Sequence, residues 1–357
     1  MEPKGESPFK GGSVNNGARG IVFGTVVQTG PVHGDVKVAA AARPRRWIAP
    51  ILLVPFLVAL VVVSDQPKAS SAPVVNQPID EPRSIDPCTF AKPARDLMRK
   101  FGEVKLDSYY GNFNRCDLIV RSPDGSTEVD VEFQLRTSDP PADAPQVTKS
   151  GRVTIAWEEL DGDECDRILS LSEPFIVVVG AELNSGQHAD LCGMADEATR
   201  VATSVLNGLQ PLDRRDFVED SLENEDACAL LDTEALIQFG VDGSAPEPGF
   251  GNWECGWGNA GERSVAVRFD QSAPLSAPGD GTLVKLGAHT AYIEADGDGG
   301  GNNCRVQIEH RSFTANGYEK SELVQVVFRG PRPPVPPESL CAPAKSVAAA
   351  VETKLPH

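Results

Sequence analysis

Histidine is scarce in this chain, basic charge is scarce over most of it, and cysteine is missing from its first 46 residues. Each shortage excludes something. The five histidines (His33, His188, His289, His310 and His357) fall in no His-Glu-x-x-His arrangement, and no Cys-x-x-Cys pair occurs. Zinc ligands come in such spacings, so a zinc centre is not expected. Neither a Gly-x-Ser-x-Gly elbow nor a Walker loop is present. The sequence therefore offers no recognisable nucleophile or phosphate cradle, and it reads as non-enzymatic, with no cofactor and no metal. Before Trp47, seven basic residues stand against three acidic ones, a net of +4, which leaves −22 of the formal −18 to the rest of the chain. A body this acidic excludes nucleic acid as a partner, because phosphate contacts need clustered Lys and Arg.

What is present divides the chain in two. All eight cysteines lie between Cys88 and Cys341, beyond the uncharged run WIAPILLVPFLVALVVV at 47–63. Seventeen such residues reach the lower end of what spans a bilayer, and Pro50 and Pro55 are tolerated in a membrane helix. Arg43, Arg45 and Arg46 precede the run and Asp65 follows it. The positive-inside rule places the N-terminus in the cytoplasm and the C-terminus outside. An even number of cysteines on that outer side reads as disulfides in an oxidising compartment. The segment is read as an uncleaved signal anchor in the plasma membrane. The small residues Ala69, Ser70, Ser71 and Ala72 leave cleavage as the alternative.

Beyond the anchor, 64–83 carries four prolines and few large apolar groups. It reads as a semi-extended spacer of about 3.1 Å per residue, some ~60 Å in reach. The remainder is an internal repeat. Cys88, Cys116, Cys165 and Cys192 recur as Cys228, Cys255, Cys304 and Cys341. DPCTFAKPARDLMRKFG matches DACALLDTEALIQFG, and LCGMADEATRVATSVL matches LCAPAKSVAAAVETKL. The period is too long for a solenoid, so 84–209 and 225–357 read as two copies of one domain joined by a linker at 210–224. In each copy a short helix is expected after the first cysteine, with Pro93 at its first position in one and Asp232 capping the other. Gly102 and Gly240 suit the residue just past the helix end. STEVDVEFQL and RSVAVRFD alternate as half-buried strands; FIVVVGAEL and ELVQVVFRG read as buried ones. A closing helix carries Ala195, Ala198, Val201, Ala202 and Val205, or Ala344, Val347, Ala348, Val351 and Leu355. The expected fold is α+β: two tandem disulfide-bonded domains with antiparallel sheets flanked by short helices, behind a single transmembrane helix. Four cysteines per copy allow three connectivities; sequential pairing, Cys88–Cys116 with Cys165–Cys192 in the first, is the expectation.

The Asp-Pro-Cys start, the short helix and the Cys255-Gly256-Trp257 strand resemble a family of actinobacterial secreted and lipoprotein domains of unknown function. The resemblance covers roughly 84–357, twice over. It implies a fold and an envelope location but no chemistry. The first copy departs from it, with Cys116-Asp117-Leu118 and no Trp, and the chain lacks a lipobox.

On the cytoplasmic side, GIVFGTVVQTGPVHGDVKV at 20–38 alternates β-branched and small residues about a Thr29-Gly30-Pro31 corner. A two-strand unit is marginal in water. Stacked on copies of itself, its backbone groups find partners above and below. Val27, Gln28, Thr29 and Gly30, followed by His33-Gly34-Asp35-Val36, resemble the bacterial amyloid signalling motifs related to the RIP homotypic interaction motif, with Thr29 where an aliphatic residue is usual. The resemblance implies a homotypic partner carrying a matching motif. The other reading of this stretch is a disordered glycine-rich tail.

Three further features have plain structural readings. The acidic turns Asp161-Gly162-Asp163 and Asp296-Gly297-Asp298 offer oxygen ligands for calcium but lack EF-hand spacing, and Asp-Gly is a common hairpin turn. Trp253 and Trp257 share a strand face with Cys255 and read as core rather than a ligand groove. The proline run at 331–338 reads as a stiff loop. The sequence thus predicts a membrane-anchored, receptor-like signalling protein whose outer domains bind an unknown ligand. The alternative is an envelope binding module with an incidental tail.

Overall fold

The computed structural model describes residues 81–137, 144–171, 175–208, 212–259 and 261–356. The 20–38 stretch with Val27, Gln28, Thr29 and Gly30, the 47–63 run and most of the 64–83 spacer lie outside them. Among the described residues no helix is long and apolar enough to cross a membrane.

The first half opens with helix α1 (Cys88–Met98). Phe90, Ala91, Ala94 and Met98 fall on one stripe and are fully buried, and the Asp86 carboxylate accepts the Cys88 N–H at 2.9 Å. Pro93 lies inside this helix, not at its start. The turn begins earlier, at Asp86-Pro87, so Pro93 removes only the amide that would reach back to Thr89. Seven strands follow: β1 (Glu103–Asp107), β2 (Arg115–Arg121), β3 (Glu128–Arg136), β4 (Gln146–Ser150), β5 (Val153–Trp157), β6 (Glu164–Ser170) and β7 (Ile176–Ser185). They pair antiparallel in the order β1-β2-β3-β7-β6-β5-β4. Helix α2 (Leu191–Asn207), capped by the Asp190 side chain on the Gly193 N–H, packs beside α1 on one face of the sheet.

The second half repeats the plan. A 3₁₀ turn (Ala227–Leu230) and a short helix, α3 (Thr233–Gln238), take the place of α1. Asp232 caps α3 by accepting the Ala235 N–H at 2.8 Å. Strands β8 (Glu247–Pro248), β9 (Glu254–Gly258), β10 (Ser264–Ser272), β11 (Thr282–Leu286), β12 (His289–Ala295), β13 (Asn303–Ala315) and β14 (Tyr318–Arg329) precede α4 (Glu338–Glu352). Their order is β8-β9-β10-β14-β13-β12-β11. Adding seven to each strand number of the first sheet gives the second. Gly240 closes α3 with a left-handed φ of 71°, as its place past the helix end requires. Gly102 answers a different need: a Cβ there would stand 2.0 Å from the Arg121 carbonyl oxygen, so glycine lets two backbones meet.

Four disulfides join the cysteines in sequence order: Cys88–Cys116, Cys165–Cys192, Cys228–Cys255 and Cys304–Cys341. Each ties a helix or helical turn to the sheet beneath it. A bridge closing a loop of 27 to 37 residues stabilises by about 3–4 kcal/mol in the chain-entropy model.

The two halves share one hydrophobic core. Phe113 meets Trp253 edge-on at 5.6 Å, and Phe175 meets Phe250 at 6.0 Å. Gly111 and Gln271 exchange backbone hydrogen bonds of 2.9 and 2.8 Å. Residues 212–224, expected as a linker, bind both sides. The Arg215 side chain reaches Asp86 and the Phe113 carbonyl, while Ser221 Oγ and the Leu222 N–H donate to buried Glu322 at 2.8 and 2.9 Å. The β13–β14 hairpin is longer than its counterpart β6–β7. From it Lys320 donates to the Tyr109 carbonyl at 2.9 Å, and Phe313 packs on Tyr109.

Candidate functional site

The alternation of β3 and β10 predicts one buried and one solvated face. Both strands are instead buried almost throughout, with the same pattern. Asp130 and Gln134 on β3, and Asp270 on β10, are 5–6% exposed. A second, polar face of each sheet is therefore withdrawn from water, and its charges must find partners within the protein.

On the first sheet they do so around Arg115. Its guanidinium meets Asp117 at 2.9 Å, Asp130 at 3.1 Å and Glu132 at 2.8 Å. Burial opposes the charge on Arg115, but these three carboxylates hold its pKa well above the ordinary value. One guanidinium cannot neutralise three carboxylates. Burial, with Asp130 and Glu132 adding to it, pushes Asp117 well up, and burial with Glu132 and Glu182 pushes Asp130 up to about 7. Register places Asp107, Asp117, Glu132, Gly180 and Asp166 in one row across five strands. Gly180 leaves the room that the Asp166 side chain occupies; a Cβ there would stand 2.6 Å from Asp166 Oδ1. That oxygen is buried without a hydrogen-bond partner. Burial, reinforced by Glu164 and Glu132, raises Asp166 to about 8.

The repeat allows each position on this face to be compared with its counterpart, because the disulfides fix the alignment. Cys116 stands opposite Phe133 as Cys255 stands opposite Val267, and Cys165 opposite Ala181 as Cys304 opposite Phe328. Charge is reversed at four equivalent pairs: Arg115 and Glu254, Arg136 and Asp270, Asp166 and Arg305, Glu182 and Arg329. The reversal suits the contact between halves. Arg136 acts on Glu254, whose pKa is raised by burial against the pull of Arg268 and Arg329, while Arg115 shares a cleft with Asp270.

The apolar positions diverge as well. Ile168, Ile176 and Val178 form a closed apolar cluster with Ala156 on the first sheet. Their counterparts Gln307, Leu323 and Gln325 line a cleft of about 420 Å³. Arg268, Asp270 and Arg305 complete the floor, and Tyr110 of the first half faces the run 271–275 at the mouth. Asp270 accepts hydrogen bonds from Arg268 at 3.0 Å and from Gln325 Nε2 at 2.6 Å. Arg305 gives one Nη to Glu294 at 2.6 Å. Gln271 and Gln307 are each 5% exposed, and their side-chain amides have no hydrogen-bond partner among the described residues. The Arg115 guanidinium lies 5.3 Å from the Tyr110 ring centre. Burial raises the Tyr110 hydroxyl pKa, with Arg115 opposing and Asp270 adding.

The residues singled out in the sequence lie elsewhere. Asp161 and Glu164 exchange backbone hydrogen bonds of 3.0 and 3.1 Å around Gly162. In the second acidic turn Asp296 Oδ1 accepts the Asn303 amide at 3.1 Å, and Asp298 pairs with Arg329 at 2.5 Å. No group of three or more His, Cys, Asp and Glu suited to a metal occurs among the described residues. Trp253 and Trp257 are buried, and Trp253 Nε1 donates to the Glu223 carbonyl at 3.0 Å. The proline run leads from β14 into α4, with the Val335 N–H on Asn302 Oδ1 at 3.1 Å. None of the cleft residues was singled out. The available signal was the replacement of apolar residues in one copy by glutamines in the other.

No family model, curated protein or solved structure matches the chain.

Proposed function

We propose that this is a single-pass, membrane-anchored, receptor-like protein whose extracellular body binds a small polar ligand in the cleft of its second half. One observation carries the reading. The same backbone position is apolar and closed in the first half, as Ile168 and Val178, but amide-bearing and open in the second, as Gln307 and Gln325. The fold itself does not require polar groups there; Gln325 Nε2 donates to Asp270, while the Gln307 amide has no protein partner among the described residues and asks for one. A concave site with a few convergent polar groups, walled by both halves, is the usual setting of a small-molecule site. Four disulfides support an oxidising, outer location. The anchor at 47–63 and the assembly motif at 20–38 rest on sequence and complete the proposal: binding outside, homotypic assembly inside.

The test is retention. The full-length oxidised chain is incubated with a polar small-molecule extract of cell envelope, and bound compounds are read by native mass spectrometry. Ala273→Trp, at an exposed mouth residue, is expected to abolish retention. Equal retention by both proteins, or none by either, overturns the cleft reading. Deleting 20–38 is expected to remove membrane clustering and leave ligand retention intact; unchanged clustering removes the assembly role.

A further inference from the structure

Resting on that reading, we infer that the cleft takes an acidic sugar: a hydroxyl-rich ring bearing one carboxylate. The polar groups without protein partners specify the chemistry. The amide of Gln307, on the cleft face of β13, offers an acceptor oxygen and two donor hydrogens with no protein partner among the described residues, in a residue only 5% exposed. Arg268 and Arg305 each spend one Nη on a carboxylate, which leaves the other Nη of each without a protein hydrogen-bond partner among the described residues. A simple anion would satisfy the guanidinium donors and leave the amide oxygen unserved. A hydroxyl both donates and accepts, so it serves an amide from either side. Asp270 and Asp280, also in the lining, accept hydrogen bonds from sugar hydroxyls. A carboxylate on the same ring answers the two arginines, whose planar N–H edges suit carboxylate geometry.

The shape agrees. Leu323, Pro274 and Tyr110 give the cleft an apolar side, suited to the C–H face of a pyranose ring. About 420 Å³ falls within the range of small-molecule sites. A peptide would also bring donors, acceptors and a carboxylate. It gains affinity chiefly by adding a strand to a sheet edge, and the floor here is the face of β10, β13 and β14, which lie inside their sheet. The first half supplies the contrast: where Arg305 stands in the second, it has Asp166, and the cleft positions are filled by Ile168 and Val178. The site belongs to one copy only.

Calorimetric titration of the full-length oxidised chain with D-glucuronate, D-glucose, acetate and the dipeptide Ala-Glu tests the inference. Glucuronate is expected to bind saturably, and at least about tenfold more tightly than glucose or acetate. Gln307→Ile with Gln325→Val installs the first half's residues, which the same backbone already accommodates, and is expected to weaken glucuronate by about tenfold or more. Near-isosteric Gln307→Met, with an unchanged melting temperature, serves if the double variant does not fold. Arg305→Gln is expected to weaken glucuronate about tenfold and leave glucose unchanged. Glucose or acetate binding as tightly as glucuronate overturns the inference, as does tighter binding of the dipeptide. The two failures are separable. Compounds retained by the native protein, lost in Ala273→Trp and not displaced by glucuronate would leave the cleft standing and remove the sugar.

Discussion

Replacing Asp166 by Asn is expected to stabilise this protein at high pH and to do nothing at low pH. Asp166 lies in the space left open by Gly180, with one carboxylate oxygen buried and unpartnered, and with Glu164, Glu132 and Glu158 adding negative charge against Arg136. Burial and those neighbours raise it from 3.8 to about 8. A raised carboxylate favours the folded state while it is protonated. That contribution is complete below the unfolded value near 3.8 and is lost as pH rises towards about 8. At about 1.4 kcal/mol per pH unit, a rise of this size sets a ceiling of roughly 5–6 kcal/mol. Partial solvent contact and proton sharing with Glu164 lower that to about 2 kcal/mol. Asparagine keeps the shape and never ionises. For a folded body of this size, about 2 kcal/mol corresponds to roughly 4–8 °C in melting temperature. Differential scanning calorimetry of the native and Asp166→Asn proteins at pH 4 and pH 8.5 measures the difference directly. The variant should match the native protein at the lower pH and exceed it at the higher. A pH-independent offset between them would refute the reasoning.

Gly180→Ala should cost about 1–3 kcal/mol by overpacking against Asp166. Combined with Asp166→Ala it should cost less than the two single changes together, which a denaturation double-mutant cycle reads. Removing the Cys304–Cys341 bridge with paired serines should lower stability by about 3–4 kcal/mol in the chain-entropy model, seen as an earlier urea midpoint. Glu322→Ala leaves Arg311, Ser221 and the Leu222 N–H without their shared acceptor. It should cost about 3–5 kcal/mol and expose 212–224 to limited proteolysis.

Much of the architecture was legible because cysteine spacing and apolar periodicity are local signals. Two sets of four cysteines at matching intervals marked the duplication, and the closing-helix stripes mark faces that are buried in α2 and α4. Where structure and sequence pattern part, the deciding interaction is not local. By sequence Gly102 suits a helix end, but its constraint comes from the Arg121 carbonyl of the neighbouring strand. By sequence Pro93 suits a first helical turn, but the helix begins at Cys88. β3 and β10 alternate in sequence as half-solvated strands do. Their polar faces are buried because groups gathered from four or five strands pair with one another or, like Asp130 and Asp166, have raised pKa values, which no window of one strand reveals. The cleft was hidden for the same reason: Gln307 and Gln325 look like ordinary surface glutamines until Ile168 and Val178 are set beside them.

The reversed charges have a consequence for self-recognition. Two first halves docked in this geometry would press guanidinium on guanidinium, Arg136 on the other's Arg115; two second halves would press carboxylate on carboxylate, Glu254 on the other's Asp270. At these positions only the mixed pairing sets opposite charges against each other. The duplication carries a polarity that a symmetric dimer of either half could not reproduce.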